Sequence, residues 1–316
     1  MRVLVTGASG TLGAATARAL AARGDRVTVL QRRPAGLGLP EVLADVADEA
    51  AVRAATADHD AVIHLAARVG YAGRWAEYAH ANITGTESVV AACRGAGVAR
   101  LVHVSSPSVA HAGASLVGVG AGPADPIRAR GAYARSKAAA EQVALAADGP
   151  DLAVTAIRPH LVWGPGDQQL VGRIVERARA GRLVLVGTGA ALMDSTYTDN
   201  AVTALLAAVD RTEAAAGRAL VVSNGEPRPV AELFGRICAA AGVPGPRRRV
   251  PTGLAYAAGL VAEGIGRVRR TEPPMTRFLA EQLSTAHWFD QRRTRELLRW
   301  SPRVDLDAGF AALARG

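Results

Sequence analysis

The sequence predicts an α/β protein: a doubly wound parallel sheet followed by a smaller C-terminal α/β lobe. Three observations support this. Short β-branched runs alternate with alanine-rich helical stretches through the first half of the chain, and a glycine cluster separates the first run from the first helix. Beyond Gly164 the alternation loses its regularity. Repeated strand-then-helix units imply parallel strands with helices on both faces.

Taken in order, Arg2 to Thr6 is the first strand, and a helix runs from the glycines to about Arg23. Arg26 to Leu30 is the second strand, and Val42 and Leu43 belong to a third that ends at Asp45. Ala61 to Leu65 is the fourth, with His64 read as strand packing. Asn82 to Gly97 is helical, with Gly97 as the stop. Leu101 to Ser105 is the fifth strand, and a long loop rich in glycine and alanine covers Ala110 to Arg130. Gly131 to Asp148 is a helix and Ala153 to Arg158 the sixth strand. In the second half, helices are expected at Val171 to Ala180, Asn200 to Asp210, Val230 to Ala241 and Pro274 to Thr285. Strands are expected at Leu183 to Val186 and Ala219 to Val222. The division is residues 1–165 for a nucleotide-binding domain with the catalytic groups, and 166–316 for a mainly substrate-binding lobe with segments returning to the sheet. The lobe is expected over the carboxyl ends of the strands, where ligands of such sheets sit.

A chain of 316 residues with 49% hydrophobic and 21% charged residues is globular and long enough for a sizeable core. Its formal charge of +9 comes mostly from scattered arginines. Arg247 to Arg249 and Arg267 to Arg270 are the clusters. No interleaving of basic and aromatic residues accompanies them, so no nucleic-acid partner is predicted. Cys93 and Cys238 read as small buried hydrophobes of a reducing compartment, and no metal-ligand spacing is present. The chain starts on a strand without a signal peptide, which predicts a cytoplasmic location. The apolar stretch Gly253 to Ile265 contains Glu263 and is too short to span a bilayer. It reads as a helix of the lobe rather than a membrane contact.

Between the first strand and its helix lies Thr6-Gly7-Ala8-Ser9-Gly10-Thr11-Leu12-Gly13. Of Gly7, Gly10 and Gly13, one permits a tight turn, one lets backbone amides approach a pyrophosphate, and one lets helix and strand pack closely. The helix N-terminus, at Thr11 and Leu12, adds partial positive charge. After a strand and before a helix, this is the dinucleotide site of a Rossmann fold. The second strand ends Gln31-Arg32-Arg33, where an NAD enzyme usually places an acid for the ribose hydroxyls. Arg32 and Arg33 would instead pair with a 2′-phosphate, with the Ser9 hydroxyl as a further partner, so NADP(H) is predicted over NAD(H). Asp45 and Val46 flank the adenine position, and Leu65, Ala66 and Ala67 line the ribose and the floor of the site.

Tyr133 and Lys137 lie one turn apart on one face of a predicted helix. The fifth strand ends with Ser105-Ser106-Pro107-Ser108-Val109 at the carboxyl edge of the sheet. A nearby ammonium favours the tyrosine phenolate. Bringing its pKa from near 10 to about 7 takes roughly 4 kcal/mol. Lys137 also suits the nicotinamide ribose. These groups fit proton transfer coupled to hydride transfer, with Tyr133 as general acid or base according to direction.

Thr6 to Gly13, Asn82-Ile83-Thr84-Gly85-Thr86, Tyr133 to Lys137 and Arg158 to Asp167 together resemble the extended short-chain dehydrogenase/reductase superfamily, of the NAD-dependent epimerase/dehydratase type. Within it the chain resembles the 3β-hydroxysteroid dehydrogenase-like branch, echoed by Pro273-Pro274-Met275-Thr276-Arg277 and His287-Trp288-Phe289-Asp290. The resemblance implies a catalytic serine three positions before Val109, which is Ser106, with Ser108 as the backup. It places Pro159, His160 and Leu161 beside the nicotinamide, and Val69, Ser108, His160 and Trp163 as candidate substrate contacts. Asn82 is expected to brace the helix packing, with a proton-relay role as the alternative. The superfamily also implies a homodimer through the helices beginning near Asn82 and Gly131. One departure is the absence of a tyrosine-glycine pair after Val109, common in sugar-nucleotide relatives.

These readings predict an NADP(H)-dependent enzyme that interconverts a secondary alcohol and a ketone on a lipophilic small molecule, such as a sterol, β-keto acid or polyketide-like ketone. Leu170, Leu192, Met193 and the Gly253 to Ile265 stretch are the expected apolar contacts, or else core. The alternatives are a sugar-nucleotide epimerase or dehydratase with tightly bound NAD, and a non-catalytic NADP sensor.

Overall fold

The computed structural model describes residues 1–70, 73–269 and 275–315. Strand and helix alternate from the first residues: β1 (Arg2–Thr6), α1 (Thr11–Ala22), β2 (Arg26–Gln31), β3 (Glu41–Leu43), α2 (Glu49–Thr56) and β4 (Ala61–His64). Then follow α3 (Trp75–Tyr78), a π-helical turn (Ala79–Thr84), α4 (Gly85–Ala96), β5 (Arg100–Val104), a 3-10 turn (Pro107–Ala110), β6 (Leu116–Val119), α5 (Gly131–Leu145) and β7 (Ala153–Pro159). The second half begins with β8 (Val162–Trp163), α6 (Val171–Arg179), β9 (Val184–Val186), β10 (Leu192–Met193), β11 (Thr196–Tyr197), α7 (Thr198–Asp210) and β12 (Arg218–Val222). It ends with β13 (Arg228–Pro229), α8 (Val230–Ala240), β14 (Arg248–Val250), α9 (Thr252–Arg269), α10 (Arg277–Ser284), β15 (His287–Phe289), α11 (Arg292–Leu298) and α12 (Leu306–Leu313).

Seven of these strands pair in parallel in the order β3-β2-β1-β4-β5-β7-β12. Successive side chains of each strand enter opposite layers. Val3 and Val5 pack with Ala17 and Leu20 of α1 and Leu205 and Ala208 of α7. Leu4 packs on the other face with Val52 of α2, Val89 of α4 and Ala144 of α5. Burial on both faces explains why β1 and β4 read as continuous apolar runs. The strand order reverses between β1 and β4, which places the ligand crevice outside their carboxyl ends.

The lobe has its own core, in which Trp163 and Tyr197 meet α6, α8 and α12. Segments α7 and β12 return from the second half to the main sheet.

Several expected boundaries move. The strand expected to reach Asp45 stops at Leu43, and α5 stops at Leu145 rather than Asp148. The Asp148 carboxylate instead accepts a hydrogen bond from the Val154 amide at 2.8 Å. The Ala110 to Arg130 segment is not a plain loop, since β6 lies within it and pairs with β15 in a four-stranded sheet β13-β10-β15-β6. A four-residue strand whose partner lies at the far end of the chain has no local signal. Helix α10 begins at Arg277, where the Thr276 hydroxyl accepts from the Leu279 amide at 3.0 Å. Pro273 and Pro274, part of the branch-specific pattern and of the expected helix start, lie outside the described residues.

Cys93 and Cys238 are buried free thiols, and burial pushes Cys93 up to about 12. Among the described residues no helix is long and apolar enough to cross a membrane, and no group of side chains could hold a metal ion.

One buried ion pair ties α5 to β7. The Arg158 Nε donates to Glu141 at 2.8 Å, both side chains are 1% exposed, and Arg158 Nη1 reaches the Gly122 carbonyl at 2.8 Å. Glu141→Leu alone strands the guanidinium and is expected to lower stability by about 3–5 kcal/mol, whereas Glu141→Leu with Arg158→Met recovers most of that loss. Denaturant unfolding of both variants checks this; a single variant as stable as the parent refutes it.

Candidate active site

The loop after β1 is shaped by what stands against it. Gly7 has φ +80, and a Cβ there would lie 2.6 Å from the backbone nitrogen of Ala66. A Cβ on Gly13 would lie 2.4 Å from the Gly7 carbonyl oxygen, so Gly13 lets α1 close on the turn itself. Gly10 differs, because its φ is −89 and its Cβ would meet the Gly7 carbonyl oxygen at an ordinary 3.5 Å. Nothing inside the protein demands a glycine there, which leaves close approach of a ligand as the reason for it. Helix α1 has no side-chain cap and no acid in its first turn. Its N-terminal amides beside Ser9, Thr11 and Leu12 are therefore uncapped by any side chain, an arrangement suited to an anion.

At the end of β2, Gln31 is buried and its amide donates to the Glu41 carboxylate, which also accepts from the Ala35 amide at 2.7 Å. Arg32 and Arg33 are exposed, with no hydrogen bond or ion pair among the described residues. Asp45 faces outward, within 3.7 Å of His80, while Val46 is buried in the core against Gly85. After β4, the Thr6 carbonyl oxygen accepts from Leu65 and the Thr6 hydroxyl accepts from Ala66. Ala67 follows them along the same half-buried edge. His64 bridges the Thr6 and Thr86 hydroxyls at 2.8 and 3.0 Å, and burial pushes it down to about 3, so it is a neutral packing residue.

Lys137 on α5 is 2% exposed. Its ammonium donates to the Val104 carbonyl at 2.6 Å and stands 3.4 Å from His103 Nε2. Burial lowers it to about 8, partly offset by the Glu141 charge. An ammonium has three donors, so one remains for a ligand. Tyr133, one turn earlier, opens into a cleft of about 1400 Å³. Ser106, two residues past β5, caps the 3-10 turn: its Oγ accepts from the Ser108 amide at 3.3 Å and the Ser108 hydroxyl at 3.0 Å. Accepting twice leaves the Ser106 hydrogen free to be donated.

Asn82, in the π-helical turn, holds both backbone groups of Arg68, at 2.7 and 3.2 Å, and donates to Ser136 at 2.8 Å. Ser136 in turn bonds the Tyr133 carbonyl at 2.8 Å. Asn82 thus locks the segment after β4 against the helix that bears Tyr133. Leu161 has φ +43, a left-handed conformation costly for a branched side chain. It is held in place because the Thr196 hydroxyl bonds the His160 carbonyl at 2.7 Å and the Thr196 amide bonds the Leu161 carbonyl at 3.2 Å. Pro159 and His160 are buried beside it, and His160 Nδ1 bonds the Asp194 carbonyl at 2.6 Å.

The candidate substrate contacts separate. Val69 lines the Tyr133 cleft. Trp163 does not: it is fully buried, stacks on Phe310 at 4.4 Å and donates to Ser195 at 3.0 Å, so it belongs to the lobe core. Met193 is core and Leu170 packs against the same core, while Leu192 is exposed outside the cleft. The apolar cleft wall comes instead from Val69, Trp75, Ile127, Tyr256 and Phe278. Val69 and the Gly253 to Ile265 stretch that holds Tyr256 were among the expected contacts; Trp75, Ile127 and Phe278 carry no local sign, because the wall converges from four separate segments.

A family model for the NAD dependent epimerase/dehydratase family matches residues 3–223. The chain belongs to this family. It is 43% identical to the 2-alkyl-3-oxoalkanoate reductase of Stenotrophomonas maltophilia over 326 aligned residues, covering 99% of this chain and 98% of that one. It is 28% identical to the sterol-4-alpha-carboxylate 3-dehydrogenase, decarboxylating, of Mus musculus, with 96% and 87% covered. Among solved structures, MoeE5 in complex with UDP-glucose and NAD superposes with a TM-score of 0.77 at 25% identity, covering 100% of this chain and 98% of that one. As in the family, the site of this epimerase/dehydratase member fits a nicotinamide dinucleotide: the open cradle at Gly10 and the uncapped α1 suit its diphosphate.

The lowered pKa of Lys137 predicts a pH dependence. As pH rises through about 8 the ammonium is lost, and with it the charge that favours a Tyr133 phenolate, so kcat/KM is expected to fall on the alkaline side. Stability moves the other way. Between about 8 and the ordinary 10.5 the unfolded chain binds the extra proton, so the Lys137 contribution to folding improves with pH. Rate and unfolding profiles across this range test both signs; a kcat/KM that stays level through it contradicts the assignment.

Proposed function

We propose that this chain is an NADPH-dependent reductase of lipophilic 3-oxo acids, converting the ketone to a secondary alcohol with Tyr133 as the proton donor. The chain is an oxidoreductase that interconverts a ketone and a secondary alcohol on a lipophilic small molecule. The observation that favours 3-oxo acids is the make-up of the Tyr133 cleft. Its apolar side chains Val69, Trp75 and Ile127 remain exposed, and among the described residues seven arginines stand there against three glutamates. A molecule with hydrocarbon tails and an acidic group satisfies both. The reductase and the sterol dehydrogenase named above share this chemistry, since each name puts a carboxylate on the carbon next to the reacting one.

In the proposed reaction the Ser106 hydroxyl donates a hydrogen bond to the ketone oxygen. Tyr133 transfers its proton to the same oxygen as negative charge develops there. Lys137, fixed by the Val104 carbonyl, stabilises the resulting phenolate and holds the nicotinamide ribose. When bound, the reduced nicotinamide would supply the hydride that the carbonyl carbon receives. Asn82 and Ser136 position the turn of α5 that carries Tyr133; a relay of protons through Asn82 is not needed for this scheme. The loop from Gly7 to Gly13 binds the diphosphate, and Asp45 with Val46 borders the adenine. Leu65 to Ala67 form the floor, and Pro159 to Leu161 back the nicotinamide. Arg32 and Arg33, exposed and uncommitted, take the 2′-phosphate, while the Glu41 charge beside them is engaged by Gln31 and Ala35.

A sugar-nucleotide epimerase is disfavoured by exposed apolar side chains in the cleft and by Gln31 in place of an acid. A non-catalytic sensor is disfavoured by the full set Ser106, Tyr133 and Lys137.

Tyr133→Phe is expected to lower turnover of a 2-alkyl-3-oxo acid by at least about 100-fold, with NADPH binding retained by fluorescence titration. Turnover close to the parent removes Tyr133 from the reaction. Arg32→Ala is expected to raise the KM for NADPH roughly tenfold and leave that for NADH unchanged. Equal effects on both cofactors, or a parent enzyme that prefers NADH, sink the NADP assignment.

A further inference from the structure

We propose that Arg130 binds the substrate carboxylate and thereby selects 3-oxo acids over neutral ketones. The inference rests on the function proposed above and assigns a residue to its selectivity. In a 3-oxo acid the carboxylate carbon lies two C–C bonds, roughly 2.5 Å, from the carbonyl carbon. With the ketone oxygen held between Ser106 and Tyr133, the cation that receives the acid must adjoin both of the segments that carry them.

The cleft arginines differ in this respect. Glu77 engages Arg68 at 2.7 Å and Arg74 at 3.3 Å. Glu263 engages Arg277 through both Nε and Nη2, at 3.0 and 2.9 Å. Arg135 bonds the Pro126 carbonyl at 3.1 Å and lies over Trp75. Arg130 is placed otherwise. It is the N-cap residue of α5, one turn before Tyr133. Its guanidinium packs on Gly113, in the segment that continues from the Ser106 turn: a Cβ on Gly113 would lie 3.2 Å from Arg130 Nη2, and Gly113 has φ +91. Arg130 thus joins the serine segment to the tyrosine helix.

Its counter-charge is loose. Glu281 stands 3.9 Å from Arg130 Nε, beyond hydrogen-bond reach, and Glu281 Oε2 is buried without a hydrogen-bond partner. The nearby imidazole of His111 offers no negative charge; burial first, and the Arg130 charge second, hold it neutral. A guanidinium with a distant carboxylate and a half-exposed fork is ready to accept a planar anion in bidentate fashion. The substrate carboxylate takes up hydrogen bonds that Glu281 does not fill. The alkyl chains then extend along Trp75, Ile127 and Phe278.

The test compares a 2-alkyl-3-oxo acid with its methyl ester in NADPH-driven reduction. Binding of the stable 2-alkyl-3-hydroxy acid and its ester to the same proteins is measured by calorimetry. The parent is expected to prefer the acid in both assays. Arg130→Met is expected to weaken binding of the hydroxy acid and to raise the KM of the oxo acid, each roughly 30-fold, with kcat and both esters unchanged, while Arg130→Lys recovers part of the loss. Glu281→Gln, which removes the competing charge, is expected to tighten the acid relative to the ester. An unchanged acid-to-ester ratio in Arg130→Met, with an active parent, overturns this inference alone. A parent that turns over neither compound overturns the function proposed above and this inference with it.

Discussion

Where the sheet order reverses, the turn after β1 and the chain leaving β4 run backbone against backbone. A side chain at Gly7 would stand 2.6 Å from the Ala66 nitrogen, and one at Gly13 would stand 2.4 Å from the Gly7 carbonyl oxygen. These two close approaches set the distance between β1, α1 and β4. They hold the N-terminus of α1 against the edge where a diphosphate belongs. The Thr6 hydroxyl secures the same junction by accepting from Ala66 and bonding His64, which reaches on to Thr86 of α4. The floor of this crevice is therefore assembled from backbone contacts that tolerate no extra atom.

The catalytic side depends on a different device, a buried cation in a neutral setting. Lys137 sits on His103 and the Val104 carbonyl, with His64 behind. Both imidazoles are held uncharged, first by burial and then by the Lys137 charge itself. Two neutral rings fill the space without competing for the lysine as carboxylates would. The cost of burying Lys137 appears as its pKa, lowered to about 8. Below it, the Arg158–Glu141 pair ties the same helix to β7, so α5 is anchored at its charged interior as well as by apolar packing.

The legible parts of the sequence were those whose cause is local. The glycines at 7, 10 and 13 follow from backbone conformation and close approach, and the Tyr133–Lys137 spacing follows from one helical turn. Gly97 stops α4 in the left-handed conformation, as its residue type requires. The cleft was not legible in the same way. Strand β6 needs β15 as its partner, and the apolar wall needs residues from the segment after β4, the segment before α5, α9 and α10. Trp163 illustrates the opposite error: an aromatic beside a recognisable motif suggested a substrate contact, yet Tyr197 and Phe310 enclose it.

By itself, then, the sequence determined the fold class, the glycine turn before α1 and the placing of Tyr133 and Lys137 one turn apart on α5, because turn chemistry and helical periodicity act over a few residues. Tertiary structure decided which face each group meets. It made Asn82 the brace of α5, enclosed Trp163, and brought Arg130 against Gly113 and within 3.9 Å of Glu281. Those outcomes depend on contacts between distant segments, whose energies come from burial and charge pairing and leave no period in the chain that makes them.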